Sequence, residues 1–382
     1  MTTRRSFLSY LGTFSISACG FPLQAMARGS MKEPHSAAGV PGSGEMDEAL
    51  EMLAPYAPSF RGGLSNHGPM TAEALVALGH HDAVIRWVEG YRKRLERRPA
   101  PRKRIDASQW KDALGDGARS RDWDEWFSNE LAESPWRDVV GLWVPRLAPG
   151  IAAAGLHGVI RVGHATCSLA VTENTLRLDE LARALAYWAS DFLPLPGEHT
   201  VAGKLSPSRA LKEVELLPKE RRAGRGLITT ELKDLLGFEP FGGAIDLVNP
   251  AAGSPNFIAE LLATFAGTFI NTTSNSFVFL HAVTGAAAIA ELLPYVKIED
   301  RAGVLAYTWQ VTAGILARYG QQNLVADVDV GSNNESIDRL AKLAVATGDE
   351  HTIKLASACT REWLRNPDPR LLAAAAERIR QG

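Results

Sequence analysis

Cysteine is scarce in this sequence, and neither sign of charge is in excess. The 382 residues include 3 cysteines, and 41 lysines and arginines nearly balance 43 aspartates and glutamates. Outside the N-terminal segment only Cys167 and Cys359 remain, which is too few for a disulfide scaffold and predicts two buried free thiols. A formal net charge of −2 provides no global attraction for a polyanion, so we expect no nucleic acid as a partner.

Several common catalytic motifs are absent as well. The sequence has no glycine-rich phosphate loop, no Gly-x-Ser-x-Gly, no His-Glu-x-x-His and no Cys-x-x-Cys. These absences weigh against kinases, serine hydrolases and dinucleotide-binding dehydrogenases. Alternating strand patterns are scarce too, whereas long apolar helical segments are frequent. We therefore predict an all-α fold, a single multi-helical domain over residues 46–382 with buried apolar helices.

The N-terminus predicts export. Arg4 and Arg5 directly precede a short, weakly apolar run from Leu8 to Leu23, a pattern that is typical of a twin-arginine signal peptide. The run ends before Ala25-Met26-Ala27, a small-x-small sequence that favours cleavage after Ala27. We therefore expect residues 1–27 to be a signal peptide that the Tat export machinery reads, and the mature protein to be periplasmic or secreted.

Two further features describe the segment around the cleavage site. Residues 28–45 are rich in Gly, Ser and Pro, which predicts a flexible linker. Ile16-Ser17-Ala18-Cys19 also resembles a lipoprotein processing site, so lipid anchoring at Cys19 stays open as an alternative. No later stretch reads as long and apolar enough for a membrane span, and we expect none in the mature protein.

Histidine within apolar helices is the most conspicuous chemistry that is present. Residues 149–170 and 277–296 read as helices that are apolar nearly all round and hence central in the core. The histidines in apolar contexts are His67, His157, His164, His281 and His351. Taken singly, each could be a satisfied core residue, but one shared metal would satisfy several buried imidazoles at once. His157 and His164 are seven residues apart, about 10 Å along a helix, so we favour His157 as the ligand.

A lysine in an apolar helix is the second unusual feature. Lys354 lies between Ile353 and Leu355 in a helix that is predicted from about Asp349 to Asn366. Burial lowers the pKa of a lysine, and a neutral amine can capture carbon dioxide as a carbamate that ligates a metal. Lys354 follows His351 by three residues, which places both on one helix face. The alternative is a lysine whose amine reaches solvent from a half-buried position.

These residues resemble the questin oxidase-like family, helical proteins related to fungal enzymes that oxidatively open anthraquinone-type rings. The matching motifs, in chain order, are Asn66-His67-Gly68-Pro69, His157-Gly158-Val159-Ile160-Arg161, His281-Ala282-Val283-Thr284-Gly285 and Gly348-Asp349-Glu350-His351-Thr352-Ile353-Lys354. The resemblance implies Fe(II) held by His67, His157, His281, His351 and carboxylated Lys354. The sequence departs from the fungal pattern at Arg161, where a second histidine is usual, and at His164, which is often tyrosine there.

The resemblance also implies an activity. We expect a metal-dependent oxidoreductase, an oxygenase that uses dioxygen on an aromatic or quinone-like small molecule by ring-opening or Baeyer–Villiger-type oxidation. Arg161, one turn beyond His157, is the candidate catalytic residue that orients an anionic group of the substrate or oxygen at the metal. NADPH is not expected, because nicotinamide cofactors are not available in a bacterial periplasm.

Two other classes remain open on the sequence. In a helical-toroid polysaccharide lyase, Asn66 and His67 would neutralise a uronate and assist proton removal without a metal. In a non-catalytic helical binding protein, the histidines would be core residues and Lys354 would be solvated.

Overall fold

The structure is a computed structural model of the chain. It describes residues 42–200, 203–222, 224, 226–250, 255–272, 275–321 and 336–381. The predicted signal peptide over residues 1–27, the alternative lipid site at Cys19 and most of the predicted linker lie outside this part of the chain. The first helix begins at Ser43, three residues before the expected start of the domain.

Helices account for 74% of the structure and strands for 3%, which confirms the all-α prediction. The α-helices are α1 (Ser43–Leu53), α2 (Gly68–Ala77), α3 (His81–Tyr91), α4 (Ser120–Glu133), α5 (Trp136–Leu147), α6 (His157–Val171), α7 (Thr175–Ser190), α8 (Pro207–Ala210), α9 (Ile228–Leu232), α10 (Pro255–Asn271), α11 (Ser276–Leu292), α12 (Ile298–Tyr319), α13 (Ile337–Thr347), α14 (Glu350–Arg365) and α15 (Pro369–Gln381).

Short elements connect these helices. The strands β1 (Ser59–Phe60) and β2 (Leu64–Ser65) pair antiparallel just before α2. Turns of 3₁₀-helix cover Arg92–Arg94, Trp110–Ala113, Gly117–Arg119, Ala148–Gly150, Ala153–Leu156, Leu211–Glu213, Lys219–Arg221, Lys233–Gly237, Glu239–Leu247 and Leu293–Tyr295. The hairpin fixes the direction in which the chain enters α2, and this direction positions His67 at the start of that helix.

Local signals explain where the helix that carries Lys354 begins. Gly348 adopts a left-handed conformation, φ 65°, and ends α13. Asp349 then caps α14, because its carboxylate accepts a hydrogen bond from the Thr352 backbone N–H at 2.8 Å. This helix runs over Glu350–Arg365, in agreement with the expected span.

Two large groups of buried apolar side chains form the core. The main group draws on α4 to α7, α10 to α12, α14 and α15, and it includes Trp143, Trp188 and Trp309. A second group belongs to α1, α2 and α3, and Ile353 of α14 packs into it. Cys167 and Cys359 are both buried, as predicted.

Four helices pack around one another in a closed circle. α2 packs on α6, α6 on α11, α11 on α14, and α14 returns to α2. Each of these helices carries, or begins beside, one of the predicted ligand histidines. The circle lies between the two groups of core side chains, so a ligand set drawn from all four helices faces the interior of the protein.

The predicted continuous helix over 149–170 is wrong at its start. The backbone breaks where Ala154, Gly155 and Leu156 have φ values of 50°, 61° and 71°, and α6 begins only at His157. The side chains of this stretch are buried although its backbone is not α-helical. A buried segment is apolar whether or not it is helical, so hydrophobicity alone did not reveal the break. Ala154 and Leu156 are unusual here because left-handed backbone is unfavourable for residues with a Cβ atom.

One core helix has the dimensions of a membrane span. Residues Ser276–Tyr295 reach a mean hydropathy of 1.7 over their most apolar window, although we predicted no span in the mature chain. Of that window, 78% is buried inside the protein, as in the core helix of a globular fold. The expectation about membranes therefore stays a prediction, and the apolar character of α11 is explained by packing.

The close packing of α6 on α11 gives a test of the fold. A Cβ atom at Gly163 would lie 2.8 Å from Ala288 Cβ and 3.0 Å from its Cα, atoms that move only with the helix. We expect Gly163→Ala to lower the free energy of unfolding by about 1–3 kcal/mol in urea titrations, because the two helices must separate. Gly303→Ala in α12 is the control, since nothing lies within 4 Å of its new Cβ. It should raise the stability by about 0.5–1 kcal/mol through helix propensity. Equal effects of the two substitutions would contradict the close approach.

Candidate metal centre

Three predicted ligand histidines meet inside the four-helix circle. His67, His157 and His351 each offer a ring nitrogen, and these atoms lie within 4.8 Å of one another. Their exposed fractions are 6%, 7% and 9%. Three buried imidazoles at this spacing could hold a metal ion.

The fourth predicted histidine completes the arrangement. His281 is 1% exposed, and its ring centroid lies 4.8 Å from that of His157 and 5.6 Å from that of His351. His67 lies between the other two, 4.6 Å from His157 and 4.5 Å from His351. The four rings therefore follow one another in the same cyclic order as α2, α6, α11 and α14.

Hydrogen bonds fix which nitrogen of two rings faces the cluster. His157 Nδ1 donates to the Ala154 carbonyl at 2.7 Å, and His281 Nδ1 donates to the Phe277 carbonyl at 2.9 Å. A carbonyl only accepts, so both rings carry their proton on Nδ1 and leave Nε2 with a free lone pair. Within the described part of the chain, the Nε2 atoms of His157 and His281 have no hydrogen-bond partner. His67 Nδ1 has none either. These histidines are therefore not satisfied core residues, and their orphaned nitrogens fit a metal.

Burial keeps these imidazoles neutral. Desolvation holds the pKa values of His67, His157 and His281 well below the ordinary value, and positive charge on Lys354 lowers all three further. The pKa of His351 is also lowered, mainly by burial, although Asp349 opposes the shift. Neutral imidazole is the form that binds a metal, so no proton has to be displaced near pH 7.

Lys354 is fully inside the protein. Its exposed fraction is 1%, so the alternative in which its amine reaches solvent does not hold. Desolvation lowers its pKa to about 7, and the carboxylates of Glu350 and Asp349 partly oppose that shift. A substantial share of the amine is therefore neutral at neutral pH. In the sequence, only the apolar neighbours of the lysine indicated that it is buried.

Two carboxylates at the start of α14 lie close to the ligand rings. Glu350 Oε1 lies 3.7 Å from His67 Nδ1 and accepts a hydrogen bond from Arg94 Nη2 at 2.7 Å. Asp349 Oδ2 lies 3.8 Å from His351 Nδ1. Both carboxylates lie in the segment from Gly348 to Lys354, and neither was predicted to be a site residue. An outer partner such as Asp349 orients a metal-binding imidazole, whereas Glu350 lies on the side of the His67 ring that carries the unpaired Nδ1.

The start of α2 is held by its own hydrogen bonds. The His67 backbone N–H donates to Tyr91 Oη at 2.7 Å. The Asn66 side chain accepts from the Gly68 N–H at 3.0 Å and donates to the Ala57 carbonyl at 3.0 Å. Asn66 therefore shapes the backbone at His67, and its amide is occupied.

His164 belongs to a different polar group. Its Nδ1 lies 2.6 Å from Glu73 Oε2, and the other oxygen of Glu73 pairs with Arg361. These three residues lie on α2, α6 and α14, the helices that also carry or adjoin three of the cluster histidines. The structure thus places His157 in the cluster and His164 beside a carboxylate further along α6.

Arg161 is engaged elsewhere. Its Nε and Nη2 donate to the two carboxylate oxygens of Glu180 at 2.6 and 2.9 Å, and both side chains are 4% exposed. A bidentate pair of this kind fixes the guanidinium in position. The predicted role of Arg161 in orienting a substrate stays a prediction, and its ion pair with α7 is an additional structural role.

Comparison with known proteins adds no assignment to this site. No protein-family model matches the chain, and no curated protein matches it. The site itself brings neutral imidazoles with free lone pairs beside a buried amine, an arrangement that fits a metal ion.

The buried lysine makes the stability of the metal-free protein depend on pH. Between about pH 7 and 10.5 the unfolded chain binds a proton at Lys354 that the folded chain does not bind. In this window Lys354 therefore contributes a rise of the free energy of unfolding with pH, by up to about 1.4 kcal/mol per unit, and this contribution is lost as the pH falls toward 7.

The measurement is a series of urea titrations from pH 8 to 10 in buffer free of carbon dioxide and containing chelator. Lys354→Met should flatten the slope by about one proton's contribution. Lys342→Met is the control because Lys342 is exposed on α13, and it should leave the slope unchanged. An unchanged slope in Lys354→Met would mean that the amine titrates as an ordinary lysine.

Proposed function

We propose that the protein is an iron-dependent oxygenase that acts on an aromatic or quinone-like small molecule. The observation that carries the proposal is the closed ring of four buried imidazoles, with the lone pairs of His157 and His281 free and Lys354 beside them. In this proposal His67, His157, His281 and His351 hold the iron, and Lys354 joins them as a carbamate.

Carboxylation of Lys354 supplies the charge that the cluster lacks. The neutral amine attacks carbon dioxide, an N–C bond forms, and the proton that the nitrogen loses passes to the solvent buffer. The product is a carboxylate at the end of a long side chain, which suits iron(II) alongside imidazole. A single negative charge next to a divalent cation also offsets the cost of burying both.

A partly exposed aromatic side chain lies next to the cluster, and in this proposal the substrate approaches from its side. Phe277 is 44% exposed, and its ring lies 4.5 Å from that of His351 and 5.3 Å from that of His281. The histidines beneath it are nearly fully buried. A flat aromatic substrate can pack against the Phe277 ring beside the histidines.

The residues of the chain have distinct tasks in this reaction. Bound iron supplies a redox-active position for dioxygen. The hydrogen bonds of His157 and His281 to the Ala154 and Phe277 carbonyls hold the proton on Nδ1, so that Nε2 of each ring would be available to hold the metal. Asp349 would orient the ring of His351, and the carboxylate of Glu350, 3.7 Å from His67 Nδ1, would add negative charge beside the bound cation. The apolar surroundings exclude water, which strengthens these interactions.

Neither alternative class has comparable support. The lyase needs the Asn66 amide for a uronate, but that amide is bonded to Gly68 and Ala57. A binding protein with ordinary core histidines would pair their nitrogens within the protein. The unpaired His67 Nδ1 argues against this.

Metal analysis is the first test of the proposal. Protein purified without chelator should contain about one iron per chain by mass spectrometry, and His281→Ala and Lys354→Ala should each lower the content at least about tenfold, since they remove ligands. His199→Ala is a matched control. The His199 ring also lacks hydrogen-bond partners among the described residues, but it lies near Asp246 and outside the cluster.

The outcomes separate the parts of the proposal. Wild-type protein with a stoichiometric metal other than iron would overturn the iron assignment and keep the site, whereas protein without bound metal would overturn the oxygenase. Carbon-13 NMR after incubation with labelled bicarbonate should show a carbamate signal in the wild type that is missing in Lys354→Met. An identical signal in both would remove the carbamate.

Oxygen consumption tests the reaction. The iron-loaded protein should consume dioxygen in the presence of an electron-rich hydroquinone or anthraquinone-type probe, and His281→Ala should abolish this consumption because the metal is lost. We expect no dependence on NADPH. Oxidation of one NADPH per substrate by purified protein would contradict the proposed independence from nicotinamide.

A further inference from the structure

A polar cavity lies between α4 and α7, apart from the histidine cluster. It has a volume of about 340 Å³, which is within the range of small-molecule sites. Its inner end is formed by Arg98, Arg121, Asp124 and Arg183, which also line the narrow cleft that continues inward to Arg161 and Tyr187. Glu125, Ser128, Asn129 and Asp179 form the rest of its lining.

The inner end holds more positive than negative charge. Three guanidinium groups and one carboxylate form this end, and Asp124 Oδ2 accepts from Arg98 Nη1 at 2.8 Å and also pairs with Arg121. One oxygen atom therefore serves two arginines. Arg161 lies deeper in the cleft and is paired with Glu180. This pair is neutral as a unit, so it does not offset the excess positive charge of the inner end.

Arg183 has no strong partner in this arrangement. Its Nε is buried and has no hydrogen-bond partner among the residues that the structure describes. Its contact with Asp179 is 3.6 Å, beyond hydrogen-bonding distance, and that carboxylate is 46% exposed. Burial of Arg98 lowers the pKa of its guanidinium, and the charge of Arg183 lowers it further, so the two cations repel each other. An anion between them would remove this repulsion.

We propose that the inner end of this cavity binds the phosphate or carboxylate group of a small organic molecule. Arg183 would donate from Nε, and Arg98 and Arg121 would each donate to the anion while keeping their contacts with Asp124. The planar guanidinium fork matches both kinds of oxyanion. The cavity is larger than a bare phosphate ion, so the rest of the ligand extends toward the polar side chains of Ser128 and Asn129.

The proposal needs no metal, so it is tested on metal-free protein. Inorganic phosphate and malonate are titrated separately by isothermal calorimetry, at an ionic strength held constant with sodium chloride. We expect saturable binding of at least one of them, and the stronger binder identifies the favoured group. Arg183→Gln should weaken that binding about tenfold or more, because one charge-assisted hydrogen bond is lost.

Two further variants keep the test decisive. Arg121→Gln should also weaken binding and serves if Arg183→Gln does not fold by circular dichroism. Arg137→Gln is the matched control, because Arg137 likewise has a loose contact, 3.7 Å, with an exposed carboxylate but lies outside the cavity. Its affinity should equal that of the wild type. No saturable binding of either anion, or unchanged affinity in folded Arg183→Gln and Arg121→Gln, would overturn the proposal.

Discussion

Desolvation of the imidazole rings is the constraint on which the centre depends. A buried polar atom without a partner costs about 1–3 kcal/mol, and three ring nitrogens of the cluster lack one. The backbone before His157 adds to this, since Ala154 and Leu156 adopt positive φ values that cost about 1–3 kcal/mol each. The same bend places the Ala154 carbonyl where it fixes the His157 ring. Unfavourable features thus concentrate where a bound ligand would offset them.

The helices that carry these unfavourable features are held together by polar contacts as well as by the apolar core. Glu73, His164 and Arg361 join α2, α6 and α14. His164 follows His157 by seven residues, and Arg361 follows Lys354 by seven, so both pairs repeat on one helix face about 10 Å apart. The polar group therefore fixes the mutual orientation of three helices two turns beyond the ligands. A buried, hydrogen-bonded network favours a single arrangement of these helices.

The sequence predicted the helical class, the central apolar helices and the candidate ligands, because each depends on composition or on residue type in an apolar context. It did not predict the bend before α6, since hydrophobic periodicity carries no information about backbone dihedral angles. The pairing of Arg161 with Glu180 was also missed, as were the contacts of Glu73. These contacts join residues distant along the chain, and only tertiary packing brings them together. Lys354 lies between these cases, because its neighbours indicated burial without excluding a solvated amine.

The position of the cluster joins the two parts of the core. His67 opens α2, whose apolar side chains belong largely to the group shared with α1 and α3. His157 and His281 lie on α6 and α11, within the main group. α14 contacts both, since Ile353 packs with the first and Leu355 with the second. A ligand held by all four histidines would therefore connect two hydrophobic groups that otherwise meet mainly through helix packing. Its binding free energy would contribute to the stability of the whole fold, because the site forms only when these helices are assembled.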